Sequence, residues 1–351
     1  MSRTVQITPF FPPIISGVGD YSALLSIYFK EKGAPLASLV TSVDGKHSAQ
    51  FEVVHYLATN DAESLASVLD QYDRVLLHFS SYGYARRGLC RWLVDGLVRW
   101  KTVVPERRLV TVFHEVYATG PIWRSSFWTA WAQKRIAKDL ADLSDAGFVT
   151  SKGGRDQLAR LVPDLQAELL PVFSNMGEPD APPPLSNRSS RAIVFGGQGR
   201  RERVYAELAQ TEDAVARSLR QAGIIEILDI GPAMRVPEQI AGCPVKVLGP
   251  LSANEVSDAL SDAQIGLIDY PGHVFTKSGI AAAYFAHRLA VVNTSPVGGF
   301  PPDLEDGEQF LGLETFARRA SALQEIADAG HKWYRKHSLD ATVDRFLACL
   351  T

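Results

Sequence analysis

The sequence predicts an α/β protein made of two facing Rossmann-like domains, in which helices cover parallel sheets. Three observations lead to this class. Short apolar strands alternate with stretches of helical periodicity. A strand, glycine loop and helix unit occurs twice, and a proline-rich segment separates the two occurrences.

The length and charge of the chain agree with this division. It has 351 residues, whereas a single hydrophobic core stops growing at about 250–300 residues. Its 36 Lys and Arg against 39 Asp and Glu leave a net charge of −3. Because proteins that bind nucleic-acid phosphates usually carry a basic excess, we expect no nucleic-acid partner.

The cysteines and the hydropathy pattern favour a cytoplasmic protein. The three cysteines are Cys90, Cys243 and Cys349. They are far apart and lack the spacing of a zinc or redox site, so we expect them to be reduced thiols. No apolar run approaches the roughly 18–20 residues of a membrane span. We therefore expect no integral membrane segment, and peripheral contact with the inner face of a membrane is left open.

The first domain is expected over residues 1–172. Residues 4–8 predict a strand, a proline-rich loop follows, and a helix begins near Gly17 and ends at Gly33. Further strands are predicted at 75–77, 109–113 and 146–150. His78 follows the first of these and His114 follows the second. Catalytic groups of parallel sheets lie at the carboxyl ends of strands, so both histidines are candidates, although a lone histidine is more often a core or capping residue.

A proline-rich linker is expected over residues 173–191 and the second domain over residues 192–331. Ser252 and Glu255 have the spacing of a capping box. A closing helix over 332–350 has apolar residues that can pack on either domain. The predicted strands are 192–195, 224–228, 245–248, 265–269 and 290–293, with a helix over 202–221.

Two glycine-rich turns and several cations suit a diphosphate. Gly17-Val18-Gly19 and Ser278-Gly279 each precede a helix, whose N-terminal amides favour an anion. Cations beside such turns stabilise charge on a leaving diphosphate. Each feature also has an ordinary alternative. The glycines can form tight turns, the arginines can be a solvated charge run, and Ser278 can simply cap its helix. The cations are Arg200, Arg201, Arg203 and Lys277.

No motif for a metal or a cofactor is present. The sequence lacks an Asp-x-Asp motif at a strand end, a Walker loop and a His/Cys cluster with ligand spacing. We therefore expect neither a metal nor a cofactor.

Five short segments carry a resemblance that no one of them carries alone. They are Ser16-Gly17-Val18-Gly19-Asp20-Tyr21 with the preceding Pro12-Pro13, Thr111-Val112-Phe113-His114, Pro171-Val172-Phe173-Ser174-Asn175-Met176-Gly177, Val247-Leu248-Gly249-Pro250-Leu251-Ser252, and residues 265–293. In this order they resemble GT-B-fold glycosyltransferases, close to retaining family 4. The resemblance implies metal-independent sugar transfer in the cleft between two domains. The donor is a nucleotide-diphosphate-sugar, the acceptor is a hydroxyl group of a glycan, glycolipid or small molecule, and a closing helix over 332–351 packs on the first domain.

The resemblance also assigns roles to single residues. His114 lies near the reacting sugar, and Gly17, Val18 and Gly19 face the donor diphosphate together with Lys277, Ser278 and Gly279. Arg203 matches a lysine of the family, and Arg200 or Arg201 replaces an arginine whose position falls on a glycine. Candidates for nucleoside binding are Gly249, Asp269, Tyr270 and Tyr284, and candidates for acceptor binding are His78, Tyr82, Tyr84 and Trp123.

One departure from the family leaves other functions open. The family carries two glutamates eight positions apart, and the corresponding positions here are Phe275 and Ala283, which cannot accept hydrogen bonds through their side chains. A nucleotide-sugar-binding protein without turnover is therefore one alternative. A sugar-nucleotide epimerase on the same fold is another, although no carboxylate constellation favours it.

Residues 120–128 form an aromatic and basic segment with two interpretations. It suits a lipid-linked or sugar acceptor, or it begins a core helix, and the second interpretation is favoured.

Overall fold

The computed structural model describes residues 3–14, 16–41, 54–119, 123 and 125–351. The chain divides into two compact units. The first consists of Met1–Pro171 and Leu339–Thr351, and the second of Val172–Ser338.

The first unit is built around a seven-stranded parallel sheet. Its strands are β1 (Thr4–Thr8), β2 (Leu36–Val40), β3 (Val54–Tyr56), β4 (Arg74–Ser80), β5 (Arg108–Glu115), β6 (Ala146–Val149) and β7 (Glu168–Leu169). They lie in the order β3-β2-β1-β4-β5-β6-β7. The central strands are apolar without alternation, as in Val75-Leu76-Leu77, because helices cover both faces of the sheet. The helices are α1 (Gly17–Glu31), α2 (Ala62–Leu69), α3 (Ser81–Tyr84), α4 (Arg91–Val103), α5 (Ser125–Leu143) and α6 (Lys152–Leu161).

The second unit repeats this plan. Its strands are β8 (Arg191–Phe195), β9 (Glu226–Ile230), β10 (Gln239–Ile240), β11 (Cys243–Gly249), β12 (Ile265–Ile268), β13 (Ala290–Asn293) and β14 (Leu311–Gly312). The order is β10-β11-β9-β8-β12-β13-β14, with only β10 antiparallel to its neighbour among these strands. The helices are α7 (Gln198–Gln210), α8 (Glu212–Gln221), α9 (Ala253–Asp262), α10 (Gly279–Ala286), α11 (Leu313–Arg319) and α12 (Leu323–Tyr334). The predicted α/β class with two mostly parallel sheets is confirmed.

Several boundaries differ from the sequence prediction. The helix expected over 202–221 is split into α7 and α8 at Thr211, whose hydroxyl donates to the Glu207 carbonyl oxygen at 2.9 Å. The strand expected at 224–228 is β9, two residues later. The capping box is confirmed, since the Ser252 hydroxyl accepts from the Glu255 amide and the Glu255 carboxylate accepts from the Ser252 amide.

The segment expected to be a linker is a packed part of the second unit. Arg188 is buried, and its guanidinium donates to the carbonyl oxygens of Pro183, Ala263 and His287. Burial lowers the pKa of Arg188 to about 10. Leu185 is buried as well. These contacts hold the proline-rich chain in place, so residues 173–191 do not behave as a loose connection.

The closing helix is shorter than expected. Residues 332–334 end α12 in the second unit, a 3₁₀ turn spans Arg335–His337, and a separate helix, α13 (Leu339–Leu350), belongs to the first unit. Phe346 of α13 packs edge-to-face on Phe148, with ring centroids 5.1 Å apart. Lys32, the C-cap residue of α1, pairs with Asp340 and Asp344 of α13 at 2.6 and 2.9 Å. Across the described ranges, no helix is both long enough and apolar enough to cross a membrane.

Candidate functional site

Each sheet has one place where its strand order reverses. It lies between β1 and β4 in the first unit and between β8 and β12 in the second. The helices after such neighbouring strands pack on opposite faces, and the crevice left at the carboxyl ends is where open α/β sheets bind ligands. The segments that follow these strands are therefore where a site is expected in each unit.

In the second unit, this crevice holds an arginine stacked on a tyrosine. The guanidinium carbon of Arg200 lies 4.1 Å from the ring centroid of Tyr270. Its Nη1 donates to the carbonyl oxygen of Asp269 at 3.3 Å and lies 3.8 Å from the Asp269 carboxylate. The side-chain amide of Asn293 pairs with the backbone N–H and C=O of Tyr270 at 2.9 Å each, which fixes the backbone from which the ring projects. A cation is thus oriented at the carboxyl edge of the sheet.

Arg200 lies in the first turn of α7, close to the N-terminus of that helix. Gly197 is its N-cap residue and no side chain caps it. Backbone N–H groups at such an end attract an anion, and the fixed charge of Arg200 adds to this attraction. Arg203 lies one turn further along, is exposed and forms no ion pair with a described residue. Arg200 is therefore better placed for an anion at this edge than Arg203.

Arg201 has a structural role instead. It is fully buried and pairs with the buried Asp229, which also accepts a hydrogen bond from Tyr205 at 2.8 Å. Its Nε donates to the Gly196 carbonyl oxygen at 2.9 Å. Gly231 lies against this pair, and a Cβ there would be 2.2 Å from the same carbonyl oxygen. Arg201 thus holds the second glycine loop against the end of β9, out of reach of a ligand.

The predicted phosphate loop at 277–279 precedes α10. The Ser278 hydroxyl accepts a hydrogen bond from the Ala281 amide at 3.2 Å, so it is a helix cap, as the ordinary alternative proposed. Lys277 is half-buried at the end of a 3₁₀ turn, and a Cβ on Gly279 would approach the Asn175 amide oxygen to 3.3 Å. Lys277 and Gly279 remain candidate ligand contacts.

The positions of the family's two glutamates lie in the hydrophobic core. Phe275 is fully buried and its ring stacks on Phe310, with centroids 5.7 Å apart, and Ala283 is fully buried in α10. Both positions are therefore part of the apolar packing of the second unit.

Tyr284 is also buried, contrary to its prediction as a nucleoside contact. Its hydroxyl accepts from the Phe195 amide at 3.1 Å and lies 3.2 Å from the Leu267 carbonyl oxygen, which joins β8 to β12. Gly249, half-buried with φ +77°, ends β11 and accepts from the Gly231 amide at 3.0 Å. Gly249, Asp269 and Tyr270 therefore remain nucleoside candidates, and Tyr284 does not.

In the first unit, His114 lies near the end of β5 and is only 8% exposed. The Tyr21 ring of α1 packs edge-to-face on it, with centroids 5.1 Å apart. His78 in β4 is fully buried, with Nδ1 3.3 Å from Nε2 of His114. His78 therefore contacts the candidate catalytic histidine and does not face an acceptor.

A chain of hydrogen bonds determines which atoms carry protons. Gln6 Nε2 must donate to the Ser22 carbonyl oxygen at 2.8 Å, which turns the Gln6 amide oxygen toward His78. His78 Nε2 then donates to that oxygen at 3.0 Å, and its Nδ1 is left as an acceptor for His114 Nε2. Burial, and next the charge of His114, hold the pKa of His78 well below its ordinary value. His78 is thus neutral and assigns the Nε2 proton to His114.

The first glycine loop has two glycines with different surroundings. Ser16 caps α1 by accepting from the Gly19 amide at 3.4 Å. A Cβ on Gly19 would lie 3.2 Å from the Phe10 carbonyl oxygen, whereas a Cβ on Gly17 would meet nothing within 4 Å. Gly19 is required for packing, Val18 is half-buried and Gly17 is exposed. The packing of the chain itself does not explain the glycine at position 17.

The remaining acceptor candidates separate into buried and exposed residues. Tyr84 is buried, and its hydroxyl lies within hydrogen-bond distance of the backbone carbonyl oxygens of Ile7 and His78. Tyr82 and Trp123 are exposed. Residues 120–122 and 124 lie outside the described residues, but Phe127 and Trp128 are exposed, so the core-helix interpretation is wrong for that part.

Sequence reasoning missed the polar residues that support the site. Gln6, Gln133, Asp229 and Asn293 are buried and hydrogen-bonded. Gln6 and Asp229 each lie between two apolar residues of a strand, and this was the available signal, because a buried polar side chain requires a partner.

Comparison with known proteins shows the fold. No protein-family model and no curated protein sequence matches the chain. It is similar to the structure of an alpha-glucosyltransferase in complex with UDP-glucose and DNA containing an abasic site, with a TM-score of 0.61, 11% identity and 100% of both chains covered. It is also similar to the lipopolysaccharide outer core galactosyltransferase WaaB in its apo form (TM-score 0.60, 11% identity, 99% of both chains). A third similar structure is the trehalose 6-phosphate synthase from Burkholderia multivorans (TM-score 0.58, 11% identity, 100% of this chain and 98% of that one). The chain has the GT-B fold, and membership of family 4 stays a prediction.

Proposed function

We propose that this protein is a retaining, metal-independent glycosyltransferase that moves a sugar from a nucleotide-diphosphate-sugar to a hydroxyl acceptor. The observation that carries the proposal is Arg200 stacked on Tyr270 at the strand reversal of the second sheet. Two similar structures are complexes with UDP-glucose and with UDP, which supports a nucleotide donor.

The second unit holds the donor in this proposal. The diphosphate lies at the N-terminus of α7, where backbone N–H groups meet it, and Arg200 and Lys277 balance its charge. Negative charge grows on the leaving diphosphate as the glycosidic bond breaks, so these fixed donors bind the transition state more tightly than the substrate. Tyr270 and Asp269 are the groups nearest to Arg200 and are the candidates for ribose or base.

The first unit supplies His114 and the acceptor side. The hydrogen bond to Nδ1 of His78 places a proton on Nε2 of His114 and fixes the orientation of its ring near the end of β5. An imidazole held in this way suits a hydroxyl of the sugar or of the acceptor. We assign His114 this contact. Glycans, glycolipids and small molecules, including lipid-linked ones, are the acceptor classes. Three similar structures contain DNA, and this chain's net charge of −3 does not favour a DNA acceptor.

The second candidate is a nucleotide-sugar-binding protein without turnover. The observation in its favour is the hydrophobic packing at Phe275 and Ala283, where the family carries carboxylates. Binding of nucleotide without any product distinguishes this candidate from the enzyme.

The test is incubation with a panel of UDP-, GDP- and ADP-sugars, with and without EDTA, followed by product analysis by NMR. We expect nucleotide release or transfer that EDTA leaves unchanged. Arg200→Ala should weaken nucleotide binding by at least about tenfold, as loss of one charged contact does, while Arg217→Ala, an exposed arginine of α8, should not. Arg203→Ala decides between the two arginine assignments.

The outcomes separate the candidates. Tight binding without product supports the binding protein, and an isomerised sugar nucleotide without acceptor supports an epimerase. The proposal fails if no nucleotide sugar is consumed and Arg200→Ala binds nucleotides as the unmodified protein does.

A further inference from the structure

Four large aromatic side chains are exposed on and just before α5. Trp123, Trp128 and Trp131 are 81%, 68% and 73% exposed, and Phe127 is 44% exposed. Half of the six tryptophans of the chain therefore lie in this short stretch without being buried. Phe127, Trp128 and Trp131 share one side of the helix through their spacing. We call these four residues the aromatic face. Large exposed aromatic side chains grouped on one helix in this way mark a contact site.

The aromatic face has cations around it and no acids within the same segments. Residues 81–90 and 123–138 contain no Asp or Glu, in a chain whose net charge is −3. Arg86 and Arg87 are exposed. Lys134 lies 5.0 Å from the Tyr117 ring centroid, and the first acid of α5, Asp139, is 3.8 Å from Arg135. The described cations of the two segments are Arg86, Arg87, Lys134, Arg135 and Lys138, of which Lys138 pairs with Asp142 at 2.6 Å.

Gln133 joins these two segments into one surface. It is fully buried, and its Nε2 donates to the Arg87 carbonyl oxygen at 2.7 Å and to the Tyr82 hydroxyl at 3.3 Å. Its amide oxygen accepts from the Ala118 amide at 2.8 Å. The segment that carries Tyr82 of α3 and Arg87 is thereby fixed to α5 at Gln133, which lies one helical turn after Thr129.

We propose that the aromatic face docks on the surface of a membrane that contains anionic lipids. Tryptophan is the side chain most suited to the boundary between headgroups and acyl chains, and Lys and Arg beside it pair with anionic headgroups. The local charge of these segments complements such a surface, although the chain as a whole is acidic. The proposal goes beyond sugar transfer, and its test needs no turnover.

The geometry favours a membrane over single-stranded nucleic acid. Proteins that bind single strands offer aromatic rings as successive stacking platforms along a basic groove. Here the Phe127 and Trp128 rings are almost perpendicular, with an interplanar angle of 84°. Rings in this arrangement can enter the interface of a bilayer, but they do not form consecutive parallel platforms for bases.

The experiment is sedimentation of the full chain with vesicles of phosphatidylcholine alone and of phosphatidylcholine with phosphatidylglycerol. We expect binding to the anionic vesicles, weakening with salt, and a blue shift of tryptophan emission. The double variant Trp128→Ser/Trp131→Ser should bind roughly tenfold more weakly or worse, since it removes two interfacial rings. Arg86→Gln/Arg87→Gln should lose about fivefold for each cation near the surface.

Matched controls and opposite outcomes complete the design. Val103→Ser/Ile225→Ser removes two apolar side chains that are 69% and 70% exposed elsewhere, and should bind as the unmodified chain does. Circular dichroism checks that each variant is folded. The proposal is overturned if the chain binds neither kind of vesicle, or if the tryptophan variant binds anionic vesicles as well as the unmodified chain does. It is also overturned if the same variants bind a single-stranded oligonucleotide more weakly while their binding to vesicles is unchanged.

Discussion

Nδ1 of His78 lies 3.3 Å from Nε2 of His114, and both rings lie at the carboxyl half of adjacent strands, β4 and β5. Because Gln6 of β1 orients His78, the proton position on His114 is determined by a hydrogen-bonded chain across three adjacent strands, β1, β4 and β5. His78 thus positions His114 and does not itself contact a substrate.

The first prediction concerns this positioning. His78→Leu should lower kcat by about 10–100-fold, the usual loss when a group that orients a functional histidine is removed, with little change in KM for the donor. Steady-state kinetics measures both. In a His114→Ala background, the same substitution should add no further loss, because the two residues act as a unit. An equal loss in both backgrounds would mean that His78 supports only the fold.

The second prediction concerns the buried ion pair of the second unit. Arg201→Met leaves the Asp229 carboxylate buried with only Tyr205 as a polar partner, and should lower the free energy of unfolding by about 3–5 kcal/mol. Urea denaturation measures the change. Arg201→Met/Asp229→Leu should recover part of it, since no charge is then buried. Similar stability of Arg201→Met and the unmodified protein would contradict this role.

The third prediction separates two neighbouring glycines. Gly19→Ala should destabilise the protein, because its Cβ would press on the Phe10 carbonyl oxygen, whereas Gly17→Ala should fold normally. If the amide of Gly17 approaches the donor diphosphate, Gly17→Ala nevertheless raises KM for the donor. Thermal unfolding and donor kinetics on both variants test this. Unchanged kinetics for Gly17→Ala would remove the residue from the proposed site.

The fourth prediction concerns acid stability. Burial lowers the pKa of His287 to about 4, while its ring nitrogens bond to Ser257 and to the Ala283 carbonyl oxygen. The unfolded chain takes up a proton below about pH 6.5 that the folded protein refuses, so stability is present at neutral pH and lost as the pH falls. Titration of His287 alone should lower the free energy of unfolding by about 2 kcal/mol between about pH 7.5 and pH 5. The charges of Arg188 and His331 are smaller causes of the same lowering of the pKa of His287 and are included in this figure.

The check is urea denaturation at the two pH values. His287→Asn retains an amide donor toward Ala283 and should show a smaller pH dependence than the unmodified protein. His78 contributes with the same sign and remains in the variant, so some dependence persists. Equal pH dependence in both proteins would contradict the assignment to His287.

The fold was accessible from the sequence where local pattern and tertiary contacts agree. Apolar strands such as Val75-Leu76-Leu77 are covered on both faces and are recognisable without a structure. Short edge strands such as β7 and β14 have two residues each, and their pairing depends on neighbours that the sequence does not reveal. Thr211 and Ser338 interrupt helices whose apolar periodicity continues across the break.

The candidate site was accessible only as a set of residue types. Arg200, Arg201 and Arg203 are similar in sequence, yet one stacks on Tyr270, one is buried against Asp229 and one is exposed. The helix periodicity predicts that they point in different directions, but it does not predict which direction meets the crevice. For the same reason Tyr270 and Tyr284 differ, since the partners of their side chains come from distant strands.

The return of α13 to the first unit affects the order in which the protein is made. The ribosome completes the whole second unit before it releases the helix that covers Phe148 and pairs with Lys32. Until then Phe148 lacks the ring of Phe346 that packs on it, so the nascent first unit has incomplete apolar packing.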